Sequence, residues 1–178
     1  MSKAVLISIQ PKWCAKIFRG EKNIEFRKSV PKLELPFKAY VYCTEGKDTL
    51  SSIIRDGEDI YGEIYHGKPV FIKYDKDSPE EWWSKKKTVV GEMTIDEIEI
   101  VKWDFEKEIA LYGGSPGINL KSGGLLLKEF LKYQGKGTVY GWHIKNYKLY
   151  KETMRLEKFG MRHPPQSWQY VEARNGET

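Results

Sequence analysis

Between residues 20 and 28 the chain reads Gly-Glu-Lys-Asn-Ile-Glu-Phe-Arg-Lys. A helical pattern stops at the glycine, and a strand follows in which charged and apolar side chains alternate. Apolar alternation over 4–9 predicts a strand just upstream, and Pro11 suits the first turn of a helix carrying Trp13, Ile17 and Phe18 at helical spacing. Gly20 is the expected stop. Strand, helix and strand thus occupy the first 28 residues. The two-residue period of the second strand puts Asn23, Glu25 and Arg27 on one face, and Ile24 and Phe26 on the other, toward a core. A carboxylate and a guanidinium then sit side by side, with the ammonium of Lys22 at the mouth of the strand. Such a group on a rigid element suits an anion or a polar heterocycle; the alternative is an exposed strand decorated with charge.

Downstream, a loop rich in proline and lysine over 29–36 leads to an apolar strand at 39–43 and a short helix at 49–55. A hairpin is predicted over 57–73, turning at His66-Gly67 or Gly67-Lys68. Ser78, Pro79, Glu80 and Glu81 make a good helix start, followed by Trp82 and Trp83, at least one of which is expected to pack inward. A long strand over 87–101 has Gly91 where a small barrel needs a bend. A short helix over 105–112, a glycine-rich loop at 113–117 and an amphipathic helix over 125–133 come next. Strands at 139–144, 147–150 and 167–172 complete the series. About six strands interrupted by short helices describe an α+β protein built around a mixed β-barrel. The expected organisation is one domain over 1–174, with a hairpin and helix insertion at 57–87 and a flexible tail at 175–178.

Hydrophobic residues make up 40% of the 178 and aromatics 13%, enough for a folded core. No apolar run approaches the roughly 20 residues of a membrane span and no signal-peptide pattern opens the chain, so a soluble, cytoplasmic protein without membrane association is expected. Cys14 and Cys43 lack metal-ligand spacing and read as small core residues. His66, His143 and His163 are scattered in sequence, so neither a metal nor any other cofactor is expected. Gly123-Gly124 is not followed by the lysine and hydroxyl residue of a phosphate-binding P-loop. The formal net charge is +5, unevenly spread: between residues 12 and 38 there are eight basic residues against three acidic ones, whereas 92–108 is mostly acidic and 145–162 is basic again. If the two basic stretches adjoin, they form one face for phosphates; otherwise they are ordinary solvated lysines.

The pattern Gly-x-Lys-x-x-Glu-x-Arg, with the strand and helix before it, resembles the ASCH family of PUA-like domains. The segments at 40–43, 89–95 and 140–144 look like further strands of that family, and the ending Pro-Pro-Gln-Ser-Trp-Gln-Tyr-Val at 164–171 is similar to that of ASCH proteins often encoded by prophages of Gram-positive bacteria. The resemblance implies a PUA-like barrel with a ligand cleft beside its first helices, lined by Gly20, Lys22, Glu25 and Arg27. Gly20 is expected to let backbone N–H groups approach an oxyanion. Lys12 and Lys28 are candidate phosphate contacts, and Trp13, Tyr42 and Trp142 candidate stacking partners for a base. Tyr40 shares a strand face with Tyr42 and is expected to go with it.

Three functions follow from these features. The first is binding of RNA, or of a nucleotide within it, in a phage-related regulator. The second is a small hydrolase acting on a modified nucleoside or on RNA. Some ASCH relatives remove an acyl group from a modified cytidine with a lysine, a threonine three residues later and a distant glutamate. Lys22 matches the lysine, Glu25 stands where the threonine would be, and Glu92 is the candidate for the distant acid. The third is a protein-binding module that uses the acidic segment and the Trp82-Trp83 insert. Oligomeric state is not legible in the sequence.

Overall fold

Apolar residues at nearly every position of β1 (Lys3–Ile9) mark a strand covered on both faces, and all but Lys3 and Ser8 are buried. A computed structural model describes residues 2–45, 62–65, 68–72, 85, 87–104, 109–112, 115–116 and 127–174. From β1 the chain enters α1 (Pro11–Phe18), with Pro11 in its first turn, and then β2 (Ile24–Arg27). β3 (Phe37–Cys43) lies parallel to β1, with Ile7 beside Val41 and Ile9 beside Cys43. That parallel pairing requires a crossover, which α1 and β2 supply.

β4 (Gly62–Tyr65) and β5 (Lys68–Ile72) form the expected hairpin, a separate two-stranded sheet. The helices expected at 49–55 and from Ser78, with Trp82 and Trp83, lie outside the described residues, as does the 175–178 tail. β6 (Thr88–Asp104) is longer than its sequence pattern suggests. Its first half pairs with β3 and its last four residues with β7 (Ile109–Tyr112), which continues to the short β8 (Ser115–Pro116). A helix was the expectation over 105–112. At 109–112 the sheet overrides it, because the free edge of β6 at Val101–Asp104 offers a row of backbone groups that a paired strand takes out of water. After α2 (Leu127–Gln134), β9 (Val139–Met154) runs as one strand where two were expected, absorbing the break through register shifts opposite Thr94, Ile95 and Glu97. A short 3-10 helix (Leu156–Phe159) and β10 (Trp168–Glu172) finish the fold.

The main path of the sheet is β10-β1-β3-β6-β9-β2. Its inner face carries a core of Val5, Ile7, Ile9, Val41, Met93, Ile95 and Trp142, closed on one side by Cys14, Ala15 and Ile17 of α1. Tyr40, Tyr42, Val89, Tyr150 and Leu156 form a second core on the opposite face, and Phe130 of α2 seals a third against Ile24, Phe26, Val101 and Val139. Cys14 and Cys43 are buried free thiols.

The α+β class holds, but among the described residues no ladder closes the barrel. Among the described residues β2 pairs with β9 alone and β10 with β1 alone. Side chains bridge the seam between them. Arg27 Nη2 reaches Ser8 O on the neighbouring β1 at 2.7 Å, and Nη1 lies 3.4 Å from Ser167 Oγ just ahead of β10. Trp168 Nε1 donates to Ser29 Oγ at 3.0 Å, and the Lys32 N–H donates to the Tyr170 hydroxyl at 2.7 Å. No helix among the described residues is long and apolar enough to cross a membrane.

Candidate functional site

The carboxyl ends of β1 and β3 point the same way because the strands are parallel, and a cavity of about 430 Å³ opens just beyond them. Ser8, Ile9 and Gln10 line it from β1 and its exit, Thr44 from the end of β3, Trp13 from α1, and Lys22, Glu25, Phe26 and Arg27 from β2 and its approach. Tyr133 of α2 and Gln166, just before β10, complete the wall.

The alternation expected in β2 is observed. Ile24 and Phe26 pack under α2, while Glu25 and Arg27 share the other face. The face is not solvated: Lys22, Glu25 and Arg27 are 3%, 6% and 8% exposed, which excludes a decorated outer strand. Glu25 holds both cations, its Oε2 3.3 Å from Lys22 Nζ and its Oε1 2.9 Å from Arg27 Nη2. Lys22 Nζ also donates to the Ile24 carbonyl and lies 5.4 Å and 5.2 Å from the ring centres of Trp13 and Phe26. Burial pushes the Lys22 ammonium below its ordinary pKa, against the opposing pull of Glu25. Two cations and one anion leave the floor of the cavity with one excess positive charge. Arg27 Nε is buried and has no acceptor among the described residues.

The aromatic partners divide. Trp13 lines the cavity, half-buried, with Lys16 Nζ 5.2 Å from its ring centre. Trp142 does not reach it. It is wholly buried in the inner core, edge-on to Phe37 at 5.7 Å and tilted against Trp168 at 6.0 Å. Tyr42 does share a face with Tyr40, but that face is the second core, away from the cavity. The physical reason is strand parity: the inner face at this end of β3 belongs to Val41 and Cys43. Gly20 is exposed and stands at φ +77°, and its N–H is committed to the Ile17 carbonyl at 2.9 Å, so it shapes the turn and presents no donor to an oxyanion. Glu92 is also elsewhere, bound by Lys38 at 3.1 Å and by the Tyr150 hydroxyl at 2.7 Å. Exposed Lys28 lies over the ring of Tyr133 at 5.4 Å, at the edge of the lining. The side chain of Lys12 lies outside the described residues.

Tyr133 escaped sequence reasoning. Its hydroxyl donates to the Phe26 carbonyl at 3.2 Å, and burial raises its pKa. Ser8, Gln10, Thr44 and Gln166 escaped as well. The available signal for three of them was topological, because residues that follow two parallel strands crossed by one helix gather at one end of the sheet.

The fold is that of an ASCH protein from Zymomonas mobilis, matched with a TM-score of 0.57 at 15% identity over 95% of this chain and 87% of that one. Two variants of the same protein match equally well. A tyrosine-to-phenylalanine form gives a TM-score of 0.58 at 15% identity over 96% and 91% of the two chains, and a serine-to-alanine form gives 0.58 at 14% over 95% and 88%. No protein-family model and no curated protein matches the sequence.

Proposed function

We propose that this chain, which has the ASCH fold, binds RNA or a nucleotide within it, with a base or phosphate entering the cavity over Lys22, Glu25 and Arg27. The observation that carries this reading is a buried floor with one excess positive charge and an unused guanidinium N–H beneath an open cavity. Among the described residues the floor holds more positive than negative charge, and a net positive charge held away from water favours an anionic or strongly electronegative partner. Trp13 and Tyr133 supply aromatic surface at the walls, and Lys16 and Lys28 stand over those two rings. Stacking on such a ring is worth about 1–3 kcal/mol per base, an effect of about five- to 160-fold.

Fluorescence anisotropy with a labelled single-stranded RNA tests the reading. Trp13→Ala is expected to weaken binding about five- to 160-fold at every salt concentration. Lys28→Ala should weaken it less, and should flatten the dependence of affinity on salt by roughly one phosphate contact. Wild-type affinity in both variants, or no binding by the parent protein, overturns it.

A second reading, hydrolysis of an acylated nucleoside, draws support from the depressed basicity of Lys22 beside Glu25, with the hydroxyl residues Ser8 and Thr44 in the same lining. Mass spectrometry of acylated nucleosides incubated with the protein separates the two: release of the acyl group establishes turnover, and unchanged substrate leaves binding alone.

A further inference from the structure

On the face of β6 and β9 that also carries the third core, two carboxylates and an imidazole converge. Glu97 lies directly across the ladder from His143, and Glu99, two residues along β6 on the same face, lies across from Gly141, which has no side chain to fill the space between. Register shifts at Ile95 and Glu97 set this alignment. One ligand atom from each of Glu97, Glu99 and His143 lies within 4.8 Å of the other two, and Glu99 Oε2 is 4.0 Å from His143 Nε2. Among the described residues no other three His, Cys, Asp or Glu side chains converge in this way.

We propose that Glu97, Glu99 and His143 bind a divalent first-row transition ion such as Mn²⁺ or Zn²⁺. A cation about 2.0–2.4 Å from each donor holds donors up to about 4.8 Å apart. The set of one nitrogen and two carboxylate oxygens favours these ions over Ca²⁺, which takes oxygen ligands only, and over Cu⁺, which prefers sulfur. Both strands are fixed in a long antiparallel ladder, so the ligands are held in place before the ion arrives. Two carboxylates this close repel each other, and a divalent ion between them turns that repulsion into attraction. Three protein ligands leave coordination positions for water or a substrate.

The sequence shows no sign of this group, because the imidazole is separated from the two carboxylates by more than forty positions and meets them only through the β6–β9 register.

Calorimetric titration of the chelator-stripped protein with MnCl₂ and with ZnCl₂, alongside Mn²⁺ line broadening in amide NMR spectra, tests the site. The expected result is one ion per chain, with broadening centred on Glu97, Glu99 and His143. Glu97→Gln and His143→Asn, which keep side-chain size, should each weaken binding at least tenfold, and His163→Asn should leave it unchanged. No stoichiometric binding by the parent protein, affinity unmoved by the first two variants, or broadening centred elsewhere overturns the proposal.

Discussion

Glu25→Ala is expected to lower the stability of the fold by about 3–5 kcal/mol, and its melting temperature by about 10 °C or more. Among the described residues the carboxylate is the anion that bridges Lys22 and Arg27, and all three side chains are about nine-tenths buried or more. Removing it leaves two cations facing each other out of water. Breaking a buried ion pair from one side is costly for that reason, even where the intact pair contributes little net stability. Glu25→Gln separates charge from shape: it keeps the side-chain volume, so a comparable loss assigns the effect to the missing charge. Differential scanning calorimetry of the parent and both variants measures it. A melting temperature within two or three degrees of the parent in both would show that water already screens the group.

Lys22→Met is expected to behave in the opposite way, because it removes the excess charge instead of exposing it. The linkage to pH has a definite sign. Burial lowers the folded-state pKa of Lys22 below its ordinary value of 10.5, so between the lowered value and 10.5 the unfolded chain holds more protons than the folded one. Stability attributable to Lys22 therefore rises with pH through that window and is absent below it. Chemical denaturation of the parent and of Lys22→Met across an alkaline series should show the parent gaining on the variant as pH increases. Parallel curves would place Lys22 in contact with solvent.

Gly91→Ala is the second large effect. A Cβ at this position would stand 2.4 Å from the Lys148 carbonyl oxygen and 2.6 and 2.7 Å from two ring atoms of Phe18. The ring can turn, but the carbonyl belongs to the β6–β9 ladder, where Gly91 pairs with Leu149. Relief requires the two strands to part at the centre of the sheet, at a cost of about 3 kcal/mol or more. Phe18 closes α1, so the same displacement tilts the helix that carries Trp13 into the cavity. Reduced RNA affinity should accompany the lower melting temperature. A folded Gly91→Ala protein with the parent's melting temperature would show that the strands are further apart at this point.

Local features of the fold were legible in the sequence where one physical rule governs a segment. α1 follows from a proline start and a glycine stop, and the strand parity that places Glu25 beside Arg27 follows from a period of two. Features set by pairing between distant segments were not legible. Residues 109–112 carry no strand pattern and become β7 only because the end of β6 leaves an edge to fill. Trp142 and Trp13 look equally suited to stack on a base, yet β9 turns one into the core and α1 turns the other into the cavity. Glu92 shows the same limit, since strand order places an acid somewhere on β6, whereas register decides that it meets Tyr150. Burial of the three charges was not legible either, because it depends on Tyr133 and Gln166 arriving from more than a hundred residues away.

Where β2 faces β10, the wall of the cylinder is laced, not welded. Its width there is set by how far individual side chains reach, with Trp168, bonded to Ser29, as the principal strut. In any chain of this architecture, exchanging that strut or its anchors for shorter or longer residues would widen or narrow the aperture without disturbing a single rung of the sheet. Selection for different guests can therefore act on the doorway while the scaffold stays the same.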